Sequence, residues 1–466
     1  MSALERVREM AAVSGPKVVT AAHSAAASAG ASAFSAGGNA FDAALAACFM
    51  ETVALPMKAG LFGDLVALFR VGGGEFTSVV SVGAGPRALA RGATLERVGP
   101  RSVGVPGAPH GYAMLHKFAR LGLERLIAPA VAASKQGLAW TRVARSYVVE
   151  AAATLAKLSP GNPYAPNGRI PDVGDIRRLP GLGRLLEAFA RDRERMFDGS
   201  LGRKLIEELT RRGGILLADD FGQRPARELA AITGAVARGV ELTVTPQPTY
   251  GYRLIDVVHE ALMSAEPLPQ VVRADRQRAL EQGRLAADDG TSVVAAADDE
   301  GNAIVILHSN SFPQFASGIV LDDGLILNNR PGRGFDLDAP PSAANAPRAG
   351  GVPPTTLHAW CLQADGRMLL GATPGGVNQL PWNAQTIGEL IGGASPASAV
   401  TSPRWALDAS DALTAEDGAA TGDVAIARHL APLSLRAAQQ IIRLSDDGAH
   451  EAAADPRSGC VALAAF

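Results

Sequence analysis

Two short apolar runs, residues 292–297 and 303–309, flank the turn sequence Asp298-Asp299-Glu300-Gly301-Asn302 and leave little choice of local fold. Apolar and β-branched residues on both sides of a Gly-, Asn- and Asp-rich step read as an antiparallel hairpin. Thr291 stands at the mouth of the first strand, preceded by Gly290 and by Asp288-Asp289. Thr and Val are ordinary strand residues, so a Thr here also suits a plain strand start.

A hydroxyl placed after a flexible glycine has a second use. Breaking the bond between Gly290 and Thr291 gives Thr291 a free α-amino group beside its own hydroxyl, so that one residue carries nucleophile and base. A free α-amino group titrates at about 7.7–8.0, whereas a lysine, at about 10.4, is almost wholly protonated at neutral pH. Ser292 is the fallback nucleophile.

The two sides of this step differ in pattern. Residues 21–285 read as mostly helical, with Gly37-Gly38 and Gly213-Gly214 where helices should end, and the Pro-, Gly- and Asn-rich stretch 160–180 reads as a surface loop. From Thr291 onward the runs are short and β-like; 318–321 and 325–327 form a second hairpin around Asp322-Asp323-Gly324, and helices are expected at 383–391 and 435–443. Two sheets with helices outside suit a four-layer αββα sandwich. The 466 residues allow about three domains, or two processed halves of one interleaved unit.

With 47% hydrophobic residues the chain can fill a large core, and a net charge of -2 gives no electrostatic case for nucleic acid or an anionic membrane. Residues 1–10 hold two Glu and two Arg without an apolar core, so no signal peptide is expected, and the apolar run 43–50 is too short to span a bilayer. Cys48, Cys361 and Cys460 lie far apart in apolar sequence and read as buried free thiols, which points to a cytoplasmic protein.

Competing motifs are weak. Gly83-Ala84-Gly85-Pro86 reads as a plain loop rather than a dinucleotide turn, and no nucleophile elbow, Walker loop or zinc-type spacing occurs. The pairs Asp288-Asp289, Asp298-Asp299 and Asp322-Asp323 read as solvated turns. His308 and His358 sit in apolar strands and read either as catalytic contacts or as packed core histidines. Gly375-Gly376, after the apolar run 368–370, lets backbone N–H groups approach a developing oxyanion.

From about Val19 to the C-terminus, ordered segments resemble the gamma-glutamyltransferase family of N-terminal nucleophile hydrolases. They include Gly37-Gly38-Asn39-Ala40-Phe41-Asp42, Gly104-Val105-Pro106-Gly107, Phe197-Asp198-Gly199, Gly213-Gly214-Ile215-Leu216, Ser317-Gly318-Ile319-Val320, Leu327-Asn328-Asn329, Thr373-Pro374-Gly375-Gly376 and Asp455-Pro456-Arg457-Ser458. The resemblance implies the αββα fold, cleavage between Gly290 and Thr291, Thr291 as nucleophile and an oxyanion site at Gly375 and Gly376. It places Ser309, Asn310 and Ser311 where family members hydrogen-bond the nucleophile, and it implies no metal or organic cofactor. Fragments 1–290, large and mostly helical, and 291–466 are then expected to stay together as one intertwined unit.

The departures concern the substrate. Where the family carries an Arg for the glutamyl α-carboxylate this chain has Val82, and where it carries a Ser pair this chain has Gly350-Gly351. After the pocket residue Asn329, the family's amino-group acceptors are replaced by Arg330 and Arg333, which favour an anion because a guanidinium stays charged and offers forked donors. The resulting expectation is a self-processing Thr hydrolase with an altered acyl pocket, cutting an amide or a carbon–carbon bond next to a carbonyl in a small molecule. The gamma-glutamyltransferase-like proteins of 4-alkyl-proline antibiotic pathways look similar. Two other readings stand beside it: a true gamma-glutamyl hydrolase or transferase acting on glutathione-like amides, and an unprocessed scaffold. Expected partners are the small-molecule substrate and the two fragments for each other, with no nucleic acid and no membrane; a homo-oligomer is left open.

Overall fold

The computed structural model describes Val7 and residues 11–281 and 290–466; Asp288 and Asp289 lie outside the described residues. Among these, the backbone builds two seven-stranded antiparallel sheets. In spatial order the first runs Val461–Ala465, Lys17–Ala21, Thr291–Ala297, Ala303–Ser309, Asp64–Arg70, Thr77–Ser81 and Ala226–Ala230. The second runs Ala12–Gly15, His450–Ala454, Gln440–Leu444, Arg367–Ala372, Trp360–Ala364, Val240–Val244 and Ile232–Ala237.

Strand periodicity sorts the side chains into three cores. Val293, Ala295 and Ala297 point between the sheets, toward Cys361, Leu370 and Ile442 of the second sheet. Val294 and Ala296 point the other way, into a core shared with helices Ser24–Ser35, Ala40–Ala54, Leu123–Gln136 and Pro180–Asp192. A third core joins the far face of the second sheet to helices Gly251–Met263, Leu268–Glu281, Gln379–Ile391 and Pro396–Thr401. The result is the four-layer αββα sandwich. Because both faces of the central strands are covered, their sequences are continuously apolar rather than alternating.

The first helical layer is fixed at its start by the glycine turn. Asn39 caps helix Ala40–Ala54 in a capping box with Asp42, and a Cβ on Gly38 would press into Asp42 at 2.6 Å.

Four sequence expectations are corrected. Residues 21–285 contain five strands of the two sheets, because runs such as Asp64–Arg70 are buried on both faces and too short for a helix. The helix expected at 435–443 is replaced by the strand Gln440–Leu444, which pairs with Arg367–Ala372 and His450–Ala454, so tertiary pairing overrides local helix propensity. The second hairpin reduces to a single bridge, Val320 to Ile326. Asp298 is buried: its Oδ2 accepts from the Ala40 backbone at 2.7 Å, and it holds its own turn through Asn302.

Candidate active site

Thr291 opens its strand directly opposite Ser309, and by parity both side chains face the gap between the sheets. Both are fully buried. Gly290 holds φ 153°, and a Cβ there would collide with the Ser311 carbonyl oxygen. A glycine is therefore required at this step. Ser309 Oγ accepts from the Ser311 backbone N–H at 2.9 Å and reaches the Gly290 carbonyl oxygen at a long 3.4 Å. A hydroxyl donor thus stands on the carbonyl of the bond whose next residue carries a buried hydroxyl.

Strand Arg367–Ala372 leads through Thr373 and Pro374 into the glycine turn. Gly375 takes φ 135° and Gly376 φ 55°, and a Cβ on Gly375 would collide with the Trp382 ring. Neither glycine N–H has an acceptor among the described residues. The turn passes into helix Gln379–Ile391, whose first residue reaches Thr291: Gln379 Nε2 donates to Thr291 Oγ1 at 3.3 Å and to Thr356 Oγ1 at 3.4 Å. No titratable side chain among the described residues hydrogen-bonds Thr291 Oγ1.

Both candidate histidines turn away from this gap. His308 faces the first helical layer, where Nδ1 meets Tyr112 Oη and Nε2 meets Glu51 Oε2, each at 2.7 Å and wholly buried. Ser292, its cross-strand partner, shares that face, and its Oγ has no partner among the described residues. His358 faces the helix of the second sheet: Nδ1 donates to the Thr356 carbonyl at 2.6 Å, and Nε2 accepts from Asn383 Nδ2 at 2.9 Å. Burial lowers its pKa to about 4, so it is neutral at physiological pH.

The remaining candidates surround the gap. Asn310 Nδ2 donates to the Pro56 carbonyl at 2.8 Å, while Asn329 Nδ2 spans the Arg97 and Phe312 carbonyls at 2.9 and 2.8 Å. Arg330 is fully buried and its Nε donates to Asp64 Oδ2 at 2.6 Å; the other oxygen of Asp64 accepts from Gly83 N–H at 2.7 Å. Asp64 in turn lies opposite Ser309 in the sheet. The Arg333 guanidinium lies 5.3 Å from the Phe312 ring centre. Gly350 and Gly351 exchange backbone hydrogen bonds with Gly85 at 2.9 and 2.8 Å, and Val82 lies in the core between the sheets.

Sequence reasoning missed Gln379 and Asp64. The only sign of Gln379 is its place three residues after Gly376; Asp64 shows as a carboxylate opening the apolar run 65–69. Among the described residues no three His, Cys, Asp or Glu side chains gather as a metal site requires, and no helix is long and apolar enough to cross a membrane.

The acylase ACY 1 proenzyme of a Pseudomonas strain is 26% identical over 257 residues, which cover 50% of this chain and 45% of that one. Glutathione hydrolase 3 of Arabidopsis thaliana is 26% identical over the same share of this chain and 38% of its own. The matched segment thus spans less than half the length of these relatives. The cephalosporin acylase of Bacillus halodurans superposes with a TM-score of 0.83 at 23% identity, covering 98% of this chain and 97% of that one, which establishes the shared fold. The gamma-glutamyltranspeptidase family model matches residues 26–264 and 255–465, nearly the whole length, and the chain, with Thr291 preceded by Gly290 at the head of its strand, belongs to that family.

Proposed function

We propose that this chain is a self-processing threonine hydrolase. Thr291 Oγ1 attacks the Gly290 carbonyl carbon, the C–N bond breaks, and the hydroxyl proton ends on the liberated α-nitrogen. Water then hydrolyses the ester, leaving a carboxylate on Gly290 and restoring the hydroxyl of Thr291. The observation that carries this reading is the Ser309 hydroxyl on the Gly290 carbonyl oxygen beside the buried Thr291 side chain. Strand Thr291–Ala297 lies between Lys17–Ala21 and Ala303–Ser309, so fragments 1–290 and 291–466 stay joined after the cut.

In the mature form the α-amine accepts the hydroxyl proton as Oγ1 attacks a substrate carbonyl. The N–H groups of Gly375 and Gly376, which have no acceptor among the described residues, receive the oxyanion. An amide and a carbon–carbon bond next to a carbonyl both pass through such a tetrahedral adduct, so the same groups serve either.

The substrate is a small molecule other than an ordinary gamma-glutamyl amide. Val82 offers no charge, Gly350 and Gly351 offer no hydroxyl, and the Arg330 guanidinium is engaged by Asp64, so the family's clamp for a glutamyl zwitterion is not reproduced. A lost ionic contact of this kind costs about 2–5 kcal/mol of binding. Denaturing electrophoresis with mass analysis tests the processing: the wild type should give a fragment beginning at residue 291. A panel of a gamma-glutamyl anilide, other acyl amides and an oxoacid tests the pocket, and brisk gamma-glutamyl release would overturn the altered-pocket reading.

A further inference from the structure

The Gln379 carboxamide is half used. Its Nε2 serves Thr291 Oγ1 and Thr356 Oγ1, yet its Oε1, in a side chain with no exposed surface, has no donor among the described residues. A buried carbonyl oxygen left without a donor costs about 1–3 kcal/mol, so this arrangement is one the fold has reason to relieve. Cleavage supplies the relief. Before the cut the nitrogen of Thr291 is a peptide amide with one hydrogen; afterwards it is an amine with two, or an ammonium with three.

We infer that Gln379 is a catalytic residue that clamps the mature nucleophile, Nε2 donating to Oγ1 while Oε1 accepts from the new α-amine. This rests on the processing proposed above. The donor to Oγ1 occupies one lone pair, leaving the hydroxyl proton to point at the amine and the other lone pair at the substrate carbonyl. During attack the proton passes from Oγ1 to the amine, and Oε1 stabilises the ammonium so formed. When the leaving group departs, the ammonium returns a proton to it.

Because Oε1 favours the charged amine, the carboxamide sets where the amine titrates. Asp64 and Arg330 are ion-paired beyond Ser309, His358 behind Thr356 is neutral, Arg253, whose charge reaches His358, is paired with Asp275, and His308 with Glu51 lies on the opposite face of the strand.

The test is the pH dependence of acylation of the processed enzyme by p-nitrophenyl acetate, with the adduct located by mass on the peptide that begins at Thr291. Gln379→Leu removes the acceptor and should move the acid limb to lower pH, with a drop of about tenfold in the plateau rate from the lost donor. Gln379→Glu puts a carboxylate there and should move the same limb upward by about one unit, slowing acylation about tenfold below it. Opposite displacements are the expected result. Limbs that coincide with that of a correctly processed wild type, or that move in one direction in both variants, would overturn the assignment and leave the processing proposal intact. A wild type that never splits overturns both. If the Glu variant does not fold, Gln379→Met replaces it as a second neutral variant, and an unmoved limb in both Leu and Met decides against the clamp.

Discussion

The two faces of one hairpin carry opposite kinds of polar group. Toward the gap between the sheets stand Thr291 and Ser309, met by the carboxamide of Gln379 and aligned with the Gly290 carbonyl. Toward the helices, at the neighbouring position of each strand, stand Ser292 and His308, the histidine closed on Tyr112 and Glu51. Among the described residues the first face has hydroxyls and an amide but no ionisable side chain bonded to Thr291; the second has ionisable groups with both nitrogens of His308 already used. Strand parity alone decides which of two adjacent hydroxyls faces the gap and which faces the helices.

The sharpest way to break this contrast is to exchange the fates of the two hydroxyls. Thr291→Ala should remain a single band at full length and lose acylation by about a thousandfold or more, while Ser292→Ala should split at the wild-type rate. A Ser292→Ala protein that fails to split while remaining folded would place the nucleophile on the wrong face. Next in size, Gly375→Ala pushes a methyl group into Trp382 and displaces the turn. Acylation should fall about a hundredfold, as when one oxyanion donor is lost, with splitting at residue 290 retained.

Arg330 and Asp64 lie behind the reactive face as a fully buried pair. Arg330→Met removes the guanidinium from the buried Asp64 carboxylate and should cost about 3–5 kcal/mol in denaturant unfolding. Combining it with Asp64→Leu should recover much of that loss. On the helical face, His308→Leu strips Glu51 and Tyr112 of their shared partner and should cost about 3 kcal/mol, yet splitting should continue. Equal effects of His308→Leu and Thr291→Ala on splitting would erase the distinction between the faces.

How much of this was legible in the sequence depends on the distance over which each feature is determined. The hairpin, its Gly290-Thr291 entry and the Gly375-Gly376 turn are local, and the αββα layering follows from two sets of strands that must be covered on both sides. The strands within residues 21–285 were hidden because a run buried on both faces, such as Leu65 to Phe69, loses the alternation that marks a strand. The Arg330–Asp64 pair joins residues 266 apart, so no local pattern announces that a charge placed for an anion is already matched. His308 and His358 had no legible orientation until the register was fixed, since a shift of one residue reverses the face.

His358 sharpens the comparison at the smallest scale, because it too lies beside the gap and faces away, but its hydrogen-bond partners are neutral and the nearby Arg253 charge also disfavours its protonation. Its folded pKa of about 4 lies below the unfolded value of about 6.5, so the unfolded chain takes up a proton that the folded chain refuses between these limits. Stability held by the neutral ring is fully present above pH 6.5 and is lost as pH falls toward 4, amounting to about 3 kcal/mol across the whole interval. His358→Gln should therefore narrow the gap between denaturant midpoints at about pH 7.5 and about pH 4.5, whatever it costs at neutral pH through the lost contacts to Thr356 and Asn383. His110, also held at about 4 by burial, contributes equally to both proteins and cancels from the difference. An unchanged gap would mean that His358 charges in the folded state, which requires a counter-ion on the very face where only an amide and a backbone carbonyl meet it.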